Sequence, residues 1–267
     1  MSVVYAYSDF DFNVEISHIS ERKPNPQWKM DGISNNAQYL VAYCLEGEAF
    51  YKVEGKDFHI RKSDLLFFPR GVVRSAYANP DHPWSFIFIS FDAQFLDEPS
   101  REQFDRLERW IRSPHLYKLS PLFLELSQVW TGRRAGFNVK CRSLLMDILY
   151  QLLHEQNRSM HGNFRYNAIE RTANHILQHY AESFTTDQLA SLSGLSASHF
   201  RLLFKKITGM TAVQYQNHIR LNKAKDLLLG GGCNVTEAAL SVGYHDIYYF
   251  SRLFKKMTGK NPSDCIP

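Results

Sequence analysis

The last third of the chain carries one pattern twice, and that duplication limits the fold more than any other feature. The first copy runs Gly194-Leu195-Ser196-Ala197-Ser198-His199-Phe200 and then Leu203-Phe204-Lys205-Lys206-Ile207-Thr208-Gly209. The second runs Gly243-Tyr244-His245-Asp246-Ile247-Tyr248-Tyr249-Phe250 and then Leu253-Phe254-Lys255-Lys256-Met257-Thr258-Gly259. Phe204 and Phe254 stand 50 residues apart, and the Lys205/Lys255, Thr208/Thr258 and Gly209/Gly259 pairs keep that offset. The opening glycines stand 49 apart, so the second turn is one residue longer. A fixed period of this kind marks a duplicated supersecondary unit.

Each copy reads as a helix-turn-helix. A short helix (186–193 or 235–242) stops at a glycine able to take positive φ. A three- to four-residue turn follows, in which Ser196 or Asp246 can cap the next helix. That helix carries apolar residues at 200, 203, 204 and 207, or at 250, 253, 254 and 257. The spacing buries one face and leaves the other polar and basic. A major-groove reader needs such a helix, held on one side and basic on the other. A solvated helical hairpin with a Lys-Lys end is the plain alternative for a single copy, and duplication at fixed spacing argues against it.

The string Gly243-Tyr244-x-Asp246-x-x-Tyr249-Phe250-Ser251-Arg252-x-Phe254-Lys255-Lys256-x-x-Gly259-x-x-Pro262 resembles the C-terminal signature of the AraC/XylS family of bacterial transcription regulators. The resemblance covers the last hundred residues and, more loosely, the N-terminal part. It implies double-stranded DNA as a partner, RNA polymerase as a further one, a homodimer and a cytoplasmic site of action. The DNA-contacting residues it points to are Ser196, Ser198, His199, Arg201, Leu202 and Lys205 in the first module. In the second they are Ile247, Tyr248, Ser251, Arg252 and Lys255. One departure stands out. The family pattern implies arginine at position 202, where this chain has leucine, with Arg201 one step earlier and about 100° round the helix. Ser196, Ser198, Arg201 and Lys205 must therefore supply the first module's polar contacts.

Charge follows the same division. From residue 164 onward the chain has 12 Lys and Arg against 7 Asp and Glu, while the remainder has 19 against 20. The basic surplus falls on the repeat, as expected of a part that meets phosphates. A length of 267 residues allows one large or two ordinary domains. No apolar run reaches the ~18 residues of a membrane span. Residues 1–10 hold Asp- and Tyr-rich turns and no basic-then-apolar leader. Cys44, Cys141, Cys233 and Cys265 form no Cys-x-x-Cys pair and read as reduced thiols of a cytoplasmic protein.

Residues 1–95 read as strands. Runs at 39–43, 49–53, 57–60, 64–68 and 83–91 are rich in β-branched and aromatic residues, and Glu46-Gly47, Glu54-Gly55, Pro69-Arg70-Gly71 and Asn79-Pro80-Asp81 punctuate them. Short, evenly spaced strands predict a small barrel or sandwich. Leu45-x-Gly47, Gly55, Lys62-x-Asp64-Leu65, Phe68-Pro69-x-Gly71 and Pro83-Trp84 resemble the cupin-like effector domain of sugar-responsive members of the same family. Cupin enzymes hold a metal with a His-x-His pair, a Glu and a later His. Here His18, His59, His82 and His115 are isolated, and Val73-Arg74-Ser75-Ala76-Tyr77 stands where the first histidines belong. The barrel is therefore read as metal-free, cofactor-free and non-catalytic. A barrel of this size can hold one small ligand.

Trp84, Phe86 and Phe88 share a strand face by alternation. They serve either as barrel core or as an aromatic platform for a ligand, with Trp28, Arg74 and Tyr77 as stacking or polar partners and a sugar as the leading class. Residues 101–111, 121–130 and 138–156 have helical periodicity. The last places Leu145, Ile148, Leu149 and Leu152 on a wide apolar stripe that either packs on the barrel or pairs across a dimer. Residues 158–163 break the pattern and read as a linker. Residues 211–229 then form a long helix, with Val213, Tyr215, Ile219, Leu221, Ala224, Leu227 and Leu228 inward, that sets the distance between the two modules.

The expected architecture is an α+β multidomain chain. A cupin-like β-barrel with a helical dimerisation segment (1–157) comes first, then a linker (158–163). An all-α domain with two helix-turn-helix motifs joined by a long helix (164–267) follows. The expected function is sequence-specific transcription regulation, not catalysis, under control of a small-molecule effector. The alternatives are a cupin-type metalloenzyme carried by a DNA-targeting module and a constitutive regulator whose barrel only dimerises.

Overall fold

The computed structural model describes residues 12–35 and 37–267, without the side chains of Met160, His161 and Asn163. The sequence reading of residues 1–10 lies outside the described residues. The chain divides into two compact units, one reaching Asn157 and the other beginning at Arg158.

The first unit contains β1 (Phe12–Arg22), β2 (Lys29–Ser34), β3 (Tyr39–Glu46), β4 (Ala49–Val53), β5 (Lys56–Ile60), β6 (Leu65–Phe68), β7 (Val73–Ala78) and β8 (Ser85–Phe95). These precede α1 (Glu98–Asp105), β9 (Trp110–Ile111), α2 (Ser120–Gly132) and α3 (Phe137–His161). Antiparallel pairing builds a five-stranded sheet in the order β1-β8-β3-β6-β9 and a four-stranded sheet in the order β2-β7-β4-β5. The inner faces of the two sheets bury a common core that includes Leu40, Tyr51, Phe68, Trp84 and Phe86. The other face of the larger sheet, with Tyr39, Tyr43, Phe67, Ile89 and Phe91, packs under α1, α2 and α3. Strands β3, β6 and β8 are thus apolar on both faces, which explains their near-continuous hydrophobic runs.

Three strands escaped the sequence reading: β1, β2 and β7 alternate polar and apolar residues, and β1 and β2 lie at sheet edges while β7 pairs on both sides. The helix expected over residues 101–111 is also corrected. Asp97 accepts the Ser100 amide at 2.7 Å and starts α1 early, and the helix stops at Asp105. Trp110 and Ile111 instead pair with Leu66 and Leu65 at the edge of the larger sheet.

Helix α3 corrects the reading of Leu145, Ile148, Leu149 and Leu152 as a subunit seam. All four are fully buried in the chain's own core against the larger sheet. The stripe is wide enough to look like two surfaces, and the sheet takes its apolar centre. Among the described side chains of α3, Val139, Met146 and Tyr150 are the large apolar ones left exposed. The helix runs on through residue 161, and only Gly162 separates it from α4 (Asn163–Gln178), so residues 158–161 are helical.

The second unit continues with α5 (Thr186–Ser193), α6 (Ala197–Thr208), α7 (Ala212–Leu229), α8 (Val235–Ser241) and α9 (Ile247–Thr258). It has two cores. Ile169, Ile176, Leu189, Phe200, Phe204 and Ile219 form one. Leu221, Ala224, Leu228, Ala238, Phe250 and Phe254 form the other. Helix α7 therefore serves a core on each side, and its apolar residues do not fall on a single stripe. Val213 and Leu227, expected inward, are exposed, whereas Arg220 is buried.

Candidate nucleic-acid interface and effector cavity

The two recognition helices are built alike. The Ser196 hydroxyl accepts the His199 amide at 3.4 Å, and the Asp246 carboxylate accepts the Tyr249 amide at 2.9 Å, so each helix has an N-cap. At the other ends the Thr208 hydroxyl donates to the Phe204 carbonyl at 2.7 Å and the Thr258 hydroxyl to the Phe254 carbonyl at 2.8 Å. Glycines in left-handed conformation, Gly209 and Gly259, close both. Phe200, Phe204, Phe250 and Phe254 are fully buried and anchor the inner faces.

The outward face of α6 exposes Ser198, Arg201, Leu202 and Lys205, with Ser196 exposed at its cap and His199 half-buried. The outward face of α9 exposes Tyr248, Arg252 and Lys255, with Ser251 half-buried. Leu202 is 66% and Tyr248 86% exposed, large values for residues that nothing in the fold uses. Ile247, expected to reach DNA, is half-buried and packs on the second core. Among the described residues none of Arg201, Lys205, Lys206, Arg252, Lys255 and Lys256 pairs with a carboxylate. Six unpaired cations on two helix faces make a surface suited to phosphate oxygens.

A residue that the sequence reading missed ties the segment before the first module to the turn of the second. From α7 the buried Arg220 guanidinium donates to the carbonyls of Tyr180 (2.6 Å), Glu182 (2.8 Å), Ala181 (3.1 Å) and Gly243 (3.2 Å). Its carbon sits 5.2 Å from the centre of the Tyr244 ring. Burial lowers the Arg220 pKa and lifts the Tyr244 phenol to about 12. The first three carbonyls precede the first module and the fourth lies in the turn of the second. A cation between Ile219 and Leu221 was the available signal.

Inside the β unit, a cavity of about 200 Å³ lies between the two sheets. Of the residues expected around a ligand, Trp28, Arg74, Phe86 and Phe88 line it. Trp84 is one layer behind, fully buried and stacked on Phe86 with ring centres 3.8 Å apart. Tyr77 is a correction. Arg74 and Tyr77 are three residues apart on one strand, so alternation sends them to opposite faces. Tyr77 is 55% exposed on the outer face, stacked on Phe50 at 5.2 Å, where it lines an open hollow of about 1020 Å³. Arg22, Met30, Leu40, Ala42, Tyr51 and Phe68 complete the cavity and were not foreseen as its lining.

Residues 16–153 match the family described as the AraC-like ligand binding domain, and residues 189–266 match a helix-turn-helix domain family. The MmsAB operon regulatory protein of Pseudomonas aeruginosa is 28% identical over 238 residues, covering 85% of this chain and 74% of that protein. The arabinose operon regulatory protein of Escherichia coli is 27% identical over 236 residues, covering 85% and 79%. Among solved structures, the C-terminal domain of the response regulator yesN from Fusobacterium nucleatum is 33% identical. It covers 38% of this chain and 99% of that chain, with a TM-score of 0.36.

Proposed function

Because this chain belongs to the AraC family of transcription regulators, we propose how its two units divide the work. Residues 164–267 read operator DNA through α6 and α9, which enter two successive major grooves on one face of the duplex. The β unit holds the small-molecule effector between its sheets. The named functions of relatives, an arabinose operon regulator among them, support a sugar as the leading effector class. The protein is not an enzyme in this reading. It acts in the cytoplasm as a homodimer and contacts RNA polymerase. The exposed Val139, Met146 and Tyr150 of α3 suit the dimer contact better than the four buried leucine and isoleucine residues do. A low-molecular-weight cell extract fraction that raises the melting temperature of the full chain would support effector control; no shift from any fraction would favour a barrel that only dimerises.

The observation that carries this reading is the pair of capped, core-anchored helices with outward, unpaired cations. Titration of the 164–267 fragment with duplex DNA tests it. Affinity is expected to fall steeply with salt, as counterions are released from phosphates. Arg252→Ala is expected to cost about 1–3 kcal/mol of binding. If Arg252 reads a base, the loss depends on sequence; if it holds a phosphate, the loss is uniform and the salt slope falls by about one. Arg201→Ala also weakens binding, because Leu202 offers only an apolar contact, for example to a thymine methyl. Leu202→Ala relaxes the preference at one base pair. A folded fragment with no salt-dependent affinity contradicts the assignment.

A further inference from the structure

The cavity between the sheets contains more positive charge than a neutral ligand requires. Arg74 is only 5% exposed, deep between the sheets. Its Nη1 donates to Asn35 Oδ1 at 2.5 Å and to the Val72 carbonyl at 3.4 Å, and its guanidinium lies 4.5 Å from the centre of the Phe68 ring. Its remaining nitrogens find no acceptor, and no carboxylate pairs with it, among the described residues. Arg22, at the exposed rim, has no ion pair there either. The Tyr51 hydroxyl also lacks a protein partner among the described residues. No Asp or Glu lines this space. A buried cation without a counter-ion is unfavourable for the fold, so its retention points to a ligand that completes it.

Size and shape narrow the ligand. A cavity of about 150 Å³ accepts a benzene, so about 200 Å³ takes one six-membered ring with a small substituent. Trp28, Phe86 and Phe88 supply flat apolar walls on which such a ring can lie. Three polar side chains, two of them cationic, are few for a ligand with five hydroxyls to satisfy but suit one carboxylate, which a guanidinium grips bidentately.

We infer that the effector carries a carboxylate on a six-membered ring, with Arg74 as its buried anchor and Arg22 as the second cation at the rim. This rests on the proposed role of the β unit as effector site. The ring is either that of a sugar acid, which keeps the kinship with sugar regulators, or a carbocycle.

Two matched pairs of probes separate these cases on the full chain: glucuronate against glucose, and cyclohexanecarboxylate against cyclohexanemethanol. Calorimetric titration and melting temperature are the readouts. The acid of one pair is expected to bind at least tenfold more tightly than its neutral partner, and the pair that responds identifies the ring. Arg74→Gln is expected to reduce acid binding at least tenfold while leaving the ligand-free melting temperature unchanged or raised, an outcome that a merely structural arginine would not produce. Arg22→Gln, at an exposed position, weakens acid binding by a smaller factor and reports on the site even if the Arg74 variant fails to fold. Neutral probes that bind as tightly as the acids overturn the inference, as does acid binding that survives Arg74→Gln. Acids without effect also overturn it. Glucose binding in that case leaves the β unit as an effector site, whereas failure of every extract fraction to shift melting removes the effector reading itself.

Discussion

Gly243→Ala is expected to destabilise the helical unit by about 3–5 kcal/mol, lowering its melting temperature by roughly 15–30 °C for a domain of this size. Gly243 has φ +87°, where an L residue pays about 1–2 kcal/mol. A Cβ there would lie 2.2 Å from the Ala181 carbonyl oxygen and 2.9 Å from an Arg220 terminal nitrogen. The backbone oxygen cannot step aside as a flexible side chain would, so the Arg220 clamp must open. Each charged hydrogen bond lost there costs about 1.5–3 kcal/mol. Gly194, the corresponding turn glycine of the first module, is an internal control: it has φ +67° but open space around its Cβ direction. Gly194→Ala should cost only the backbone term, about 1–2 kcal/mol. Thermal melts of both variants in the 164–267 fragment decide the point, and equal effects would mean that the clamp contributes little. Because Arg220 joins the segment before the first module to the turn of the second, Gly243→Ala should also weaken DNA binding.

Leu149→Glu is expected to unfold the β unit. The side chain is 1% exposed, within the core formed by α3 and the larger sheet. Truncating a buried leucine costs about 2–5 kcal/mol, and a buried carboxylate without a partner adds several more. The total approaches the whole stability of an ordinary domain. Loss of near-ultraviolet circular dichroism and of cooperative melting is the expected result. Tyr150→Glu, one residue on and 60% exposed, should leave the fold intact and dissociate the dimer if α3 supplies the contact. A Leu149→Glu protein that stays folded and sediments as a monomer would instead place that side chain at a subunit seam.

The sequence made the helical unit more legible than the β unit, for physical reasons. The repeat set both recognition helices, and their N-caps lie where Ser196 and Asp246 indicated, while Gly209 and Gly259, matched in the repeat, close them in left-handed conformation. Helix α7 was harder, because a helix between two cores has no single apolar stripe, and the buried Arg220 contradicts any stripe drawn for it. In the β unit, strands buried on both faces announced themselves, while the alternating β1, β2 and β7 did not. Four of the ten residues that line the effector cavity, Trp28, Arg74, Phe86 and Phe88, were visible in the sequence. Arg22 and Tyr51 reach it from strands that are distant in sequence, which only the fold brings together. Tyr77 was misplaced although strand parity alone puts it on the other face from Arg74. The apolar stripe of α3 did not distinguish its own sheet from a second subunit, since both bury the same kind of residue.

A hydroxyl-radical footprint of the full chain on its operator tests the central claim most directly. The two helix-turn-helix modules of each bound protomer should protect two patches on one face of the duplex, one helical turn or about 34 Å apart, so that a homodimer protects two such pairs. Arg252→Ala should weaken one patch of each pair and Arg201→Ala the other. A single protected patch that neither substitution alters would contradict the account.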